Sequence, residues 1–335
     1  MKLLITGAAG FIGFHLTKAF VEKGEDVIGI DNINDYCDVD LKFSRLDENG
    51  IDRLSICEQR MVQSKLYPNY RFMKIDICNK DDVFRLFSNE RPDVVCHLAA
   101  QTGVRYSLIN PDVYIQSNIT GFCNILEACR HYPVQNLLYA SSSSVYGKNK
   151  EQPYGIDQQT DHPVSLYAAT KKMNELMAHT YSHLYHIPTI GLRFFTVYGP
   201  WGRPDMAPFI FAKSIIEGVP LKVYNNGAMS RDFTYVDDVV RSIILLLDAG
   251  VSPAQPYQLY NIGGGHPTGL LEFISILEKY LGKVAEKQFL PLQDGDMITT
   301  FADVSSLINK ISYQPQTSVD EGIQKFVKWY KLFFK

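Results

Sequence analysis

Tyr167 stands four residues before Lys171 in the stretch Ser165-Leu-Tyr-Ala-Ala-Thr-Lys-Lys-Met-Asn-Glu-Leu. The segment is rich in helix formers and nothing from Ala168 to His179 breaks it. Residues four apart share a helical face, so phenol and ammonium can enter one pocket. A tyrosine ordinarily loses its proton at about pH 10. A cation beside it favours the phenolate and brings the group into use as a base at neutral pH. The chemistry on offer is removal of a proton from a hydroxyl. The same spacing also arises by chance in a surface tyrosine and lysine, so its weight depends on its surroundings.

Gly7-Ala-Ala-Gly10-Phe11-Ile12-Gly13 is the second constellation. Glycine lets the turn tighten and the backbone approach a pyrophosphate, and the amino terminus of the helix that follows offers free N–H groups to that anion. The last glycine permits close helix–strand packing. Asp31, with Asn32 beside it, closes the next strand, where a carboxylate can accept hydrogen bonds from adenosine ribose hydroxyls. That charge would repel a 2′-phosphate, which favours NAD over NADP. Asp76-Ile77 ends a third strand at a position suited to adenine. Leu98-Ala99-Ala100-Gln101 ends a fourth, where small residues let a dinucleotide lie close to the backbone; tight packing alone explains the alanines equally well. Ala140-Ser-Ser142-Ser143-Ser144-Val-Tyr-Gly147 closes the strand after that. A serine there can hydrogen-bond a substrate oxygen together with Tyr167, and a solvated turn is the plainer alternative.

The elements that must position these groups follow a βαβ rhythm. Strands are expected at Lys2–Thr6, Val27–Ile30, Tyr70–Ile75, Val94–Leu98, Asn136–Ala140 and Thr189–Phe194. Helices are expected at Phe11–Lys23, Val83–Ser88, about Asp112–His131 and about Tyr167–Tyr185. Such alternation predicts an α/β fold, a doubly wound parallel Rossmann-type sheet whose strand carboxyl ends share one ligand edge. A charged insertion, Asp35 to Pro68, interrupts it and is expected to pack over the cofactor edge or to move as a flap. From about Pro200 the pattern becomes irregular. Residues 1–199 are therefore expected to bind the dinucleotide, and 200–335 to form a smaller mixed C-terminal substrate-binding region, with some segments returning to the main sheet.

The composition is that of an ordinary globular protein. Of 335 residues 46% are hydrophobic and 21% charged, with a net charge of −3 and no basic run, which argues against nucleic acid or an anionic membrane as partner. No apolar stretch is long enough to span a bilayer. Met1–Gly7 reads as a buried strand, not a signal peptide. The six cysteines show no metal spacing and are expected as reduced thiols in a cytoplasmic protein. His179, His183 and His186 lie near one helical face but lack further ligands, so no metal is expected.

Taken together, Gly7/Gly10/Gly13, Asp31, the serine run through Val145-Tyr146-Gly147 and Tyr167/Lys171 resemble the extended short-chain dehydrogenase/reductase family of nucleotide-sugar enzymes, over nearly the whole chain and in family order. The resemblance implies Ser142, Tyr167 and Lys171 as the catalytic set and NAD as cofactor, with Asn118 near the active site. Leu192-Arg-Phe-Phe-Thr196-Val-Tyr-Gly-Pro-Trp-Gly-Arg203-Pro-Asp-Met-Ala207, with Gln101-Thr-Gly-Val-Arg-Tyr-Ser107, resembles the UDP-glucuronate 4-epimerases within it. Thr196 replaces the asparagine usual in UDP-galactose 4-epimerases, and Arg203 falls where the glucuronate enzymes hold the sugar carboxylate. Oxidising carbon 4 of a glucuronate makes a β-keto acid prone to lose carbon dioxide, and a guanidinium can grip both carboxylate oxygens in its planar fork. By the same likeness Ser143, Ser144, Arg231 and Asp296 contact a UDP-uronic acid substrate. The segment around Asp296 lacks the arginine many relatives carry. The expectation is interconversion of UDP-glucuronate and UDP-galacturonate through a transient 4-keto sugar by a homodimer. A UDP-glucuronate decarboxylase, another UDP-sugar 4-epimerase and a non-catalytic NAD-binding sensor or scaffold are the alternatives.

Overall fold

The computed structural model describes residues 1–292 and 297–334. The chain runs β1 (Lys2–Thr6), α1 (Phe11–Glu22), β2 (Asp26–Asp31), α2 (Val39–Glu48), β3 (Met61–Gln63), β4 (Tyr70–Lys74), α3 (Lys80–Glu90) and β5 (Val94–His97). Then come α4 (Asp112–Tyr114), a π-helical stretch (Ile115–Gly121), α5 (Phe122–His131), β6 (Asn136–Ser142), α6 (Leu166–Tyr185) and β7 (Thr189–Phe194). The remainder holds β8 (Thr196–Tyr198), α7 (Ala207–Glu217), β9 (Leu221–Val223), β10 (Ser230–Tyr235), α8 (Val236–Ala249) and β11 (Tyr257–Ile262). It closes with β12 (Pro267–Gly269), α9 (Leu270–Leu281), β13 (Lys287–Phe289), α10 (Ser305–Ile311) and α11 (Val319–Phe333).

These elements form two compact units. One comprises 1–149, 159–193 and 246–260; the other comprises 150–158, 194–245 and 261–335. Residues 194–199 group with the second, where β8 pairs in parallel with β10, Thr196 opposite Phe233.

The first unit is built on an eight-stranded sheet in the order β11-β7-β6-β5-β1-β2-β4-β3. Strands β4, β2, β1, β5 and β6 pair in parallel. Leu3, Leu4 and Ile5 of β1 are buried, as a central strand covered on both faces requires. Helices α3 and α5 lay Val83, Phe87, Ile125 and Leu126 against Leu4, Ile28, Val95 and Leu137 of the sheet. Chain order reverses about β1, since β2 lies on one side of it and β5 on the other. In such sheets ligands bind at the carboxyl ends beside that reversal.

The Asp35–Pro68 insertion carries regular structure of its own. It holds α2 and the short edge strand β3, antiparallel to β4. Its buried Arg45 donates from Nη1 to the carbonyl of Ala9 at 2.9 Å, tying α2 to the glycine loop.

In the second unit β10 lies between β8 and β12, while β9 pairs with β13. Its core gathers Phe209 and Phe211 of α7, Phe273 and Leu277 of α9, and Phe326 and Tyr330 of α11. Asp232 pins β10 by accepting the N–H groups of Gly264, Gly265 and Ala302 at 2.7, 3.0 and 3.0 Å.

Candidate active site

Sheet order alone lines up the expected dinucleotide residues. The carboxyl ends of β4, β2, β1, β5 and β6 deliver, in turn, Asp76 and Ile77, Asp31 and Asn32, Gly7, Leu98 to Gln101, and Ser142 to Ser144. Gly7 has φ +73°, and a Cβ there would lie 2.8 Å from the Ala99 amide nitrogen. A Cβ on Gly13 would lie 2.1 Å from the Gly7 carbonyl oxygen. Glycine is therefore obligatory where β1, the β5 loop and α1 converge. No side chain caps the amino terminus of α1 and its first turn carries no acidic residue, which suits an anion. Phe11 is buried below that turn, and Ile12 beside it is half-buried.

Asp31 is half-buried and orders the crossover beyond β2, accepting the N–H of Ile33 at 2.8 Å and of Ala9 at 3.2 Å. Asn32 donates to Asp76 Oδ2 at 2.9 Å. Burial opposes the charge on Asp76, yet the Asn32 amide and the Cys78 N–H outweigh it and hold this carboxyl below its ordinary pKa. A glycine cradle, an uncapped helix start and a carboxylate at the end of β2 fit an adenine dinucleotide.

Asn118 joins three elements. Its Oδ1 accepts the Gln101 N–H at 2.8 Å, and its Nδ2 donates to the Gln101 carbonyl and to Thr170 Oγ1, both at 3.0 Å. It sits in the π-helical stretch, a departure from α-geometry that often marks functional positions.

Helix α6 starts at a Ser165 cap, whose Oγ accepts the Ala168 N–H at 3.1 Å. Tyr167 thus lies in the first turn, half-buried, with the Tyr114 ring edge-on at 6.2 Å. Lys171 one turn on is buried, and its Nζ donates to the Ala140 carbonyl at 2.9 Å. Burial pushes its pKa down to about 7. Ser142 caps the turn Ser143–Tyr146, accepting the Ser144 N–H at 3.2 Å. Lys171 therefore grips the strand residue two before Ser142, which binds helix and serine turn to each other.

In the second unit Arg231 stands two residues before Phe233, the partner of Thr196 on the neighbouring strand. Its Nη1 donates to the carbonyls of Ser230 and Ile298 at 2.9 and 3.1 Å. Arg203 holds Asp205 through both Nε and Nη2, at 3.0 and 2.5 Å. Asp296 lies outside the described residues. His179 stacks on His183 and meets the edge of Tyr257. Among the described residues no group of three or more His, Cys, Asp or Glu is placed to hold a metal ion, and no helix is long and apolar enough to cross a membrane.

Sequence reasoning missed the groups beneath the strand ends. Thr6 Oγ1 accepts the N–H groups of Leu98 and Ala99 at 3.1 and 3.0 Å, so its own hydrogen goes to His97 Nδ1 at 2.9 Å. His97 is thereby a neutral imidazole; burial, then the nearby Lys171 charge, lowers its pKa to about 3. Glu175 and Arg193 form a buried pair with contacts at 2.8 and 2.9 Å. One signal was readable: an arginine inside the apolar strand Thr189–Phe194 demands a buried partner.

A doubly wound sheet with a glycine turn at β1 and a Tyr-x-x-x-Lys helix beside the serine strand end defines a Rossmann-type dinucleotide-binding scaffold. The family model described as NAD dependent epimerase/dehydratase family matches residues 3–263, and the chain belongs to that family. It is 50% identical to "Protein CapI" of Staphylococcus aureus, with the whole of both chains covered. It is 41% identical to a "Probable UDP-glucuronate 4-epimerase" of Rhizobium meliloti, covering 98% of this chain and 97% of the other. Among solved structures it resembles the UDP-glucuronic acid 4-epimerase from Bacillus cereus, in complex with UDP-glucuronic acid and NAD. The TM-score is 0.88 at 36% identity, with 99% of each chain covered.

Proposed function

We propose that this chain interconverts UDP-glucuronate and UDP-galacturonate by epimerisation at carbon 4. Arg203 carries the choice of substrate. It already engages a carboxylate, that of Asp205, through both Nε and Nη2, and a sugar carboxylate asks for the same two-donor recognition. The full-length likeness to relatives named UDP-glucuronate 4-epimerase supports the reading, as does Thr196.

In this reading Gly7, Gly10 to Gly13, Asp31, Asn32, Asp76, Ile77, Leu98 to Gln101 and Asn118 hold NAD, which when bound supplies the hydride acceptor and donor. Tyr167 takes the proton from the carbon-4 hydroxyl while Ser142 hydrogen-bonds the same oxygen. Lys171 orients the cofactor ribose and, as a cation, favours the Tyr167 phenolate. The 4-keto sugar turns about its link to the diphosphate and presents its other face, and Tyr167 returns the proton to the inverted alkoxide. Arg203 limits rotation of the carboxylate toward the geometry that would expel carbon dioxide. Ser143, Ser144 and Arg231 complete the contacts to the UDP-sugar. No net oxidation results, and the cycle needs the reduced state shielded from water.

Proton NMR of UDP-glucuronate incubated with the purified protein tests this directly. UDP-galacturonate should appear with carbon dioxide retained; a UDP-pentose product would instead make the enzyme a decarboxylase. Tyr167→Phe should fold and bind NAD but turn over about a thousandfold more slowly, the scale of a lost general base. Turnover like that of the wild type would remove the mechanism.

A further inference from the structure

Glu175 follows Lys171 by one turn on α6, on the face that also carries Tyr167. Its side chain and that of Arg193 are only 4% and 2% exposed. Oε1 accepts the Ser141 hydroxyl at 2.7 Å and Arg193 Nε at 2.8 Å, and Oε2 accepts Arg193 Nη2 at 2.9 Å. Lys172 Nζ lies 3.9 Å from Oε2. Arg193 Nη1 donates onward to the Tyr146 hydroxyl at 3.0 Å. Ser141 and Tyr146 flank the serine turn, so one ion pair grips both ends of the segment that carries Ser142.

Burying two charges costs nearly what their attraction returns, so such a pair is a poor source of stability. What it supplies is geometry. We propose that Glu175 is a positioning residue: with Arg193 it locks the Ser141–Tyr146 segment onto α6 and so sets the placement of Ser142 against Tyr167, touching neither substrate nor cofactor. The inference rests on the reading that assigns Ser142 and Tyr167 to the reaction. It is separate from Lys171, which reaches the neighbouring Ala140 carbonyl by its own bond.

Ser141→Ala and Glu175→Gln test it in the NAD-loaded enzyme, well below the unfolding temperature of each variant. Ser141→Ala removes one hydroxyl and leaves the ion pair intact, so it decides the matter if Glu175→Gln fails to fold. Ser141→Ala should lower kcat about tenfold and Glu175→Gln about a hundredfold, with KM and NAD content within about twofold of the wild type, the signature of misplaced reacting groups. A purely structural role would lower the melting temperature and leave kcat alone. Ser141→Ala with kcat within about twofold of the wild type overturns the proposal. A wild type inactive on UDP-glucuronate would sink the substrate reading only, since any UDP-sugar it converts serves the comparison. Crystal structures of the NAD-loaded wild type and Ser141→Ala judge it without turnover: a Ser142 hydroxyl displaced from Tyr167 supports it, and superposable positions overturn it.

Discussion

A lysine with almost no water around it is an expensive cation. Lys171 is 3% exposed, and burial brings its pKa from the usual 10.5 down to about 7. The unfolded chain keeps that proton up to about pH 10.5, whereas the folded chain releases it above about pH 7. Between these values the unfolded state binds more protons, so the stability contribution rises with pH across the window. Below it the full cost of burying the charge is felt. Urea unfolding of the wild type and Lys171→Met at pH 7 and pH 10 should show the wild type gaining on the variant by a few kcal/mol, as an order of magnitude. A pH-independent difference between the two would mean that Lys171 is solvated or fully counter-charged. His97 adds the same sign lower down. Its folded pKa of about 3 against 6.5 means stability is lost as pH falls through that interval.

At the scale of elements, the parts legible in the sequence were those with a strong local period. The apolar runs of β1, β2, β5 and β7 and the long pattern of α6 could be read directly, and so could the glycine turn, because its chemistry is local. Strands β3, β8, β9, β12 and β13 have three residues each, too few to show alternation, and they exist only through distant partners. The helix expected across Asp112–His131 contains a π-helical stretch that no propensity announces. Arg193 stood out as a charge inside an apolar strand, but its partner lay unread for a related reason: Glu175 is ordinary in its helix, and only the fold makes them a pair. The π-helical stretch has a testable role through Asn118. Asn118→Ala should leave the buried N–H and carbonyl of Gln101 without their partner, costing about 2–6 kcal/mol at about 1–3 kcal/mol per buried group. Denaturant unfolding reads that loss directly. A change below about 0.5 kcal/mol would show that the loop after β5 is held by other contacts.

For the whole molecule the open question is assembly, and one face of the first unit bears on it. Helices α5 and α6 are tied side by side: the Tyr181 hydroxyl donates to Glu127 at 2.7 Å, and the Arg130 guanidinium lies 4.3 Å over the Tyr185 ring. Around that pair Ile115, Met173, Leu176 and Leu184 are all exposed, Leu176 at 57%. Met173, Leu176 and Leu184 recur at helical spacing along one exposed stripe of α6, and such an exposed apolar stripe is what a partner helix covers. A second copy related by a two-fold axis would set the same pair against itself in a four-helix arrangement, each stripe covering the other. We therefore expect the wild type to sediment as a homodimer at micromolar concentration. Leu176→Glu places a charge in the middle of the stripe and should yield monomers, because two carboxylates facing across the axis would each lose water without gaining a partner. Analytical ultracentrifugation of both proteins decides it: a wild type that stays monomeric, or a Leu176→Glu protein that stays dimeric, would rule out this face as the interface.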